Sequence, residues 1–337
     1  MATKSQGDQY ILISTKTIFN FIFVSIAIGI LLVLLYLIKE VVLLIFISLM
    51  LALALAPIVE FLVKKKVPRG IAVLIIYLVI IALFGVIGAV AIPPVISQTT
   101  KLTSSLPRII ESLGSVSFLS KLSVDLNNFI AEKFLGASGN VLKVTVGAFS
   151  GILSVFSLMV ITAYLLLDLD NVRDSLLYFI PQKPRKETEK VLKEIEFKLG
   201  SWLRGEFILM CIVGFATYIL LSILGIDYAA PLALIAGLLE VVPIIGPIIS
   251  AVPGVVVGFS ISPAMGFGAL AVYVLVQQLE NNFIVPKVMQ KAIGFNPLIT
   301  LVALLIGGKL FGVTGALLSV PITLIISIVI RHVIEYD

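Results

Sequence analysis

Read for its alternation of apolar and polar positions, the chain is a series of long apolar runs cut by short charged or Pro/Gly-rich stretches. Runs at 17–38, 41–63, 71–92, 144–167, 207–224 and 266–285 approach the roughly 20 residues that carry a helix across a bilayer. Lys39-Glu40 predicts a tight turn between the first two, and "KKKVPRG" (Lys64 to Gly70) separates the second from the third. Pro93-Pro94 predicts the end of the third span, and "DLDNVRD" (Asp168 to Asp174) the end of the fourth. The first run is too long for the core of a signal peptide and has no small-residue cleavage site after it, so it is read as a span.

Two further apolar stretches, 229–259 and 297–330, are too long for one span and too short for two. The first is broken by "PIIGP" (Pro243 to Pro247) with Glu240 beside the break; the second is broken by "GGKLFGVTG" (Gly307 to Gly315). Each predicts two half-length helices folded into a re-entrant hairpin, one opening outward and one inward. "GPIISAVP" (Gly246 to Pro253) can be laid on "GALLSVP" (Gly315 to Pro321) with one gap, and each is preceded by a Gly and a Pro-Leu, at Gly225/Pro231-Leu232 and Gly294/Pro297-Leu298. A span plus hairpin repeated in opposite topology is the pattern of many secondary transporters. Unpaired backbone in lipid costs several kcal/mol per group, so broken helices are expected only where they line a cavity or are buried in protein.

The remaining segments complete the predicted organisation. Residues 1–92 form an N-terminal three-span region and 93–143 an exterior segment with two apolar stripes, Leu106/Ile109/Ile110/Leu113 and Leu122/Leu126/Phe129/Ile130/Phe134. After the fourth span (144–167), residues 168–204 carry eight basic against seven acidic side chains. Val191, Leu192, Ile195, Leu199, Trp202 and Leu203 fall at helical spacing there, with Glu189/Lys193 and Glu194/Lys198 as i,i+4 pairs. This reads as an amphipathic helix lying on the membrane, with Trp202 at the headgroup boundary. Residues 205–337 form the C-terminal core. Basic residues beside the spans place both termini, the Lys64–Arg69 cluster and the amphipathic helix on the cytoplasmic side. The fold class is therefore an all-α polytopic membrane protein with about six full spans and two broken-helix hairpins.

Composition supports this and removes other classes. Of 337 residues 60% are hydrophobic and 13% charged, with mean hydropathy +1.18; a soluble domain could not cover its surface with so little charge. Cys211 and His332 are each the only residue of their type, which leaves no disulfide framework and little metal or Ser-His chemistry. No nucleotide-binding or hydrolase motif is present, so no cofactor, metal or enzymatic activity is expected, and the basic balance serves topology, not nucleic acid.

"EVVPIIGPIISAVPG", "QQLENNFIVPKVM" and "FNPLITLVALLIGGKLFGVTGALLSVP", with "LLLDLD" and "WLRGE" upstream, make the chain similar to the autoinducer-2 exporter family of bacterial permeases. The resemblance covers nearly the whole chain. It implies a bacterial inner-membrane location, export of a small signal or exchange of Na⁺ or Li⁺ for H⁺, and a homo-oligomer, here expected as a pentamer. Two departures stand out: Glu206 where the family commonly has Gln, and Gln290 where it commonly has Gly.

Candidate pathway residues follow from polarity and breaks. Glu240 leads, since an ionisable group within the membrane is a functional hypothesis by default. Pro243, Gly246 and Pro247 form its break; Lys309, Gly312 and Gly315 belong to the second. Lys309 could pair with Glu240 or snorkel to the surface. Gln277, Glu280 and Asn281 share a helical face of the polar block "QQLENN". Arg204 and Glu206 are candidates at the inner mouth. The readings are proton-coupled export of a small polar signal, Na⁺(Li⁺)/H⁺ antiport, and a membrane scaffold. Acidic groups look sparse and separated along the sequence, which favours export over antiport.

Overall fold

The computed structural model describes residues 22–24, 26, 29–30, 33–34, 37–114, 141–178, 180–289 and 297–336. These form α1 (Lys39–Lys64), α2 (Arg69–Gly114), α3 (Val141–Tyr178), α4 (Gln182–Ile223), α5 (Ala229–Leu239), α6 (Ile245–Ile261), α7 (Pro263–Leu279), a π-helix (Glu280–Ile284), α8 (Val285–Val288) and α9 (Pro297–Tyr336). Five helices among the described residues are long and apolar enough to cross a membrane, and α5 and α6 are shorter apolar helices. The all-α polytopic expectation holds. The first run (17–38) lies largely outside the described residues, as do Gln290 and the second exterior stripe.

Several boundaries differ from the expectation, each for a physical reason. Lys39 and Glu40 are not a turn but the first turn of α1, the break falling one residue earlier at Ile38 (φ −97°, ψ 12°). Helix α2 continues through Pro93-Pro94 to Gly114: proline's fixed φ is itself helical, and what two prolines remove is two hydrogen bonds. Likewise α3 runs past the charged end of its span to Tyr178, with a kink at Asp168 (φ −123°, ψ 19°). The amphipathic segment and the fifth span are one 42-residue helix, α4. Trp202 is not at a headgroup boundary; it is 1% exposed and packs with Met50, Leu209, Met289, Leu318 and Val320.

Close packing seats α4 against α1. A Cβ at Gly200 would lie 2.4 Å from the Leu53 carbonyl oxygen, so the two backbones touch there. Pro57, inside α1, has no N–H to give that carbonyl. Arg204 supplies the donor, its Nη1 bonding Leu53 O at 3.3 Å and Ala54 O at 3.0 Å, while Nη2 bonds Ser201 Oγ at 3.0 Å. Arg204→Met, which keeps the apolar stem, is expected to destabilise by about 2 kcal/mol, in the range of hydrogen bonds to charged groups. Thermal unfolding in detergent checks this; an unchanged midpoint would mean the carbonyls find other donors.

An ionic network ties the ends of these helices together. Arg69 donates to Leu166 O at 2.8 Å and Asp170 at 3.1 Å, and Arg173 joins Asp170 to Glu196. Glu194 of α4 pairs with Arg331 of α9.

Both apolar stretches fold as hairpins. Helices α5 and α6 pack on each other, and a Cβ at Gly246 would lie 1.8 Å from Leu239 O. In α9, a Cβ at Gly307 would lie 2.3 Å from Gly315 O, whereas eight residues of straight helix span about 12 Å. The chain therefore reverses between them, at Phe311 (φ −131°, ψ 16°) and Gly312 (φ 62°, ψ −141°). Gly312 occupies a conformation that only glycine adopts without strain.

Candidate transport site

The tip of the first hairpin is built by its prolines. Pro247 falls in the first turn of α6, where helix N–H groups have no intrahelical partner and a missing one costs nothing. Between the arms, Ile245 N bonds Pro243 O at 2.7 Å, closing a three-residue turn on Ile244 (φ 69°, ψ −55°). That γ-turn geometry is rare and strained, the more so for a β-branched residue. Strain of this kind persists only where surrounding packing holds it, and it clusters at functional sites. Glu240 ends α5 at this tip, its N–H bonded to Ala236 O at 3.2 Å.

Facing the tip is the π-helix at the end of α7. Pro286 has no N–H for the Asn282 carbonyl, and the ladder shifts so that Val285 N bonds Glu280 O, five residues back. Such single-turn π segments are frequent at functional sites. Here it places Glu280 inward, 5% exposed, while Asn281 and Asn282 turn outward. Gln277 Nε2 donates to Glu280 Oε2, and Asn282 bonds Gln278 O and Oε1, both at 2.9 Å.

The carboxyls of Glu240, at the tip, and Glu280, on the π-helix, stand close enough to act directly on each other. Glu206, from α4, lies within electrostatic reach of both. Glu206 and Glu240 are each 3% exposed, so all three carboxyls sit out of water, and Glu240 Oε2 has no hydrogen-bond partner among the described residues. The sequence impression of sparse, separated acidic groups is thus overturned: folding gathers them from three elements. Among the described residues no three His, Cys, Asp or Glu side chains are close enough to hold a metal ion.

The other sequence candidates divide. Pro243, Gly246 and Pro247 form the tip, and Gln277 holds Glu280. Lys309, Gly312 and Gly315 lie in the second hairpin, with Lys309 exposed and Gly315 buried; no ion pair joins Lys309 to Glu240. Arg204 serves α1 as described. Sequence reading missed Ser250, Thr217 and Tyr273, all buried; each looks like one polar residue in an apolar run, and only the packing singles them out.

A model of the AI-2E family transporter matches residues 21–335. The chain belongs to the AI-2E transporter family. Its relatives include "Putative transport protein YueF" of Bacillus subtilis (strain 168), 28% identical over 303 residues, covering 83% of this chain and 80% of the relative. "Putative transport protein YrrI" of the same organism is 27% identical over 291 residues, covering 82% of each. A "Sodium-lithium/proton antiporter" of Halobacillus andaensis is 24% identical over 273 residues, covering 74% of this chain and 78% of its own. AI-2E family membership and the long apolar helices make this a multi-pass membrane protein of a transporter family, as the resemblance implied.

Proposed function

We propose that the protein exchanges a small monovalent cation, Na⁺ or Li⁺, for protons, with Glu240 and Glu280 as the exchange site. One observation carries this reading: two carboxyls meet out of water at a broken helix, with a third within reach. Like charges so placed cannot all remain bare, and protons or a partly dehydrated cation are the species that neutralise them. Carboxylate and carbonyl oxygens are the ligands hard alkali cations take, and the broken ends of α5 and α6 bring backbone groups to the same place. The antiporter relative is consistent with this chemistry. By the positive-inside rule, both termini face the cytoplasm of a bacterial cell, and the assembly is a homo-oligomer, a pentamer being our working number.

The polar block Gln277 to Asn282 favours a second reading, proton-coupled export of a small polar signal such as autoinducer-2, since five polar side chains within six positions, interrupted only by Leu279, exceed what a cation needs. Broken backbone in lipid disfavours a scaffold. Purified protein in liposomes with an imposed pH gradient and a pH-sensitive dye separates the readings. Collapse of the gradient on adding Na⁺ or Li⁺ is the expected result. Collapse only on adding a furanosyl diol of the autoinducer-2 type would transfer the proposal to the second reading, and silence with every addition would overturn both.

A further inference from the structure

A file of buried hydroxyls leads away from the carboxyls along the interface of α6 and α7. Two contacts fix the antiparallel register of these helices. A Cβ at Gly258 would lie 2.7 Å from Met265 O, and one at Gly254 would lie 2.4 Å from the Tyr273 hydroxyl. Extending that register toward the tip sets Ser250 opposite the turn between Tyr273 and Gln277, and the tip itself opposite Glu280. Gly246, Ser250 and Gly254 are all buried and share one face of α6. From Gly246 at the tip to Gly254 is about 12 Å of helix, so Ser250 stands midway between the carboxyl cluster and the Tyr273 hydroxyl.

These groups are short of partners. Tyr273 is 8% exposed and Thr217 0% exposed, and neither Tyr273 OH nor Thr217 Oγ1 has a hydrogen-bond partner among the described residues. Thr217 is carried on α4 between Val213 and Leu221, which are buried in the same cluster as Tyr273. Ser250 Oγ donates at 3.0 Å to Pro247 O, a carbonyl at the tip, leaving its lone pairs open to a donor from the other side. Buried polar groups are ordinarily hydrogen-bonded, to protein or to water. Two unpaired hydroxyls borne by helices that meet in one apolar cluster, with Ser250 set between Tyr273 and the carboxyls, call for an occupant.

We propose that Ser250, Tyr273 and Thr217 line a narrow hydrated proton path joining the Glu240–Glu280 pair to the membrane face on which α6 meets α7. A proton enters at one end as another leaves at the other. Each hydroxyl or water accepts a hydrogen bond from one side and donates to the next, Ser250 swinging its O–H from the Pro247 carbonyl into the path as it does so, and no net charge builds up on Tyr273 or Ser250. The role as a proton path rests on the exchange reading above; the hydration of the path does not.

Two measurements test it. In the liposome assay, Tyr273→Phe and Ser250→Ala each remove one oxygen and nothing else. The maximal rate of Na⁺-driven proton movement is expected to fall on the order of tenfold to a hundredfold, toward the low end of what a positioned proton-transfer group contributes, with the apparent Na⁺ affinity unchanged. Idle hydroxyls would leave the rate unaltered, and that result overturns the path. The second measurement needs no transport: S250C, made in a Cys211→Ala background because Cys211 is exposed, is treated in the folded state with aminoethyl methanethiosulfonate. Labelling is expected, since the reagent travels in water. A folded S250C protein that resists the reagent, yet reacts once denatured, overturns the path even if the cation reading fails or stands on its own.

Discussion

Glu240→Gln is expected to abolish Na⁺- and Li⁺-driven collapse of a pH gradient in liposomes while leaving the protein folded. The amide keeps the size of the carboxyl and can still hydrogen-bond Glu280, so the hairpin tip is preserved. It cannot take up and release a proton, nor offer a negative oxygen to a cation, and exchange requires one group that does both in turn. Because the substitution removes one of two buried carboxyls in contact, it also relieves like-charge crowding. The melting temperature should therefore stay level or rise, which separates loss of function from loss of fold. Glu280→Gln should behave in the same way. Glu206→Gln should retain exchange with an altered apparent cation affinity, since Glu206 acts on the pair from α4 through space. Full cation-driven activity in Glu240→Gln would remove the pair from the mechanism.

How much of this was legible in the sequence depends on the range over which each feature is decided. The hairpins were legible because proline and glycine act locally: "PIIGP" and "GGKLFGVTG" break an apolar run wherever it lies, and the observed reversals fall at Ile244 and at Phe311-Gly312. The continuity of α4 was not, because a change from charged to apolar composition at Arg204 alters what surrounds a helix without altering its hydrogen bonds. Gly200 and Gly205 serve packing within it, against Leu53 O and the Met289 sulfur. Trp202 was misplaced for a similar reason: residue type suits a headgroup boundary, but the neighbours that bury it come from α1, the segment after α8, and α9.

The carboxyl cluster was the least legible feature and the one with most functional weight. Glu206, Glu240 and Glu280 are separated in sequence by 34 and 40 positions, and no periodicity links them. Their meeting depends on the first hairpin folding back on itself and on the π-helix that Pro286 imposes on the opposing strand of chain. Each of the three was a candidate on its own, Glu240 beside its break, Glu280 in the polar block and Glu206 as a departure from the family pattern, but nothing in the sequence showed that they face one another.

That dependence makes Gly246 the most sensitive position in the hairpin. Its neighbour across the turn is the Leu239 carbonyl, 1.8 Å from where a Cβ would sit, a distance no real contact tolerates. The obstacle is backbone, not the end of a flexible side chain, so relief requires the arms α5 and α6 to separate. Separation would pull Glu240 from Glu280 and release the turn that holds Ile244 in its strained conformation. Overpacking a core costs about 1–3 kcal/mol when side chains can adjust, and a backbone clash should exceed that. Gly246→Ala is therefore expected to lose cation-driven exchange together with several degrees of thermal stability, a joint loss that Glu240→Gln does not produce. A Gly246→Ala protein with wild-type melting and wild-type exchange would mean that the tight tip is not needed to hold the two carboxyls together, and the site would then have to be built from α4 and α7 alone.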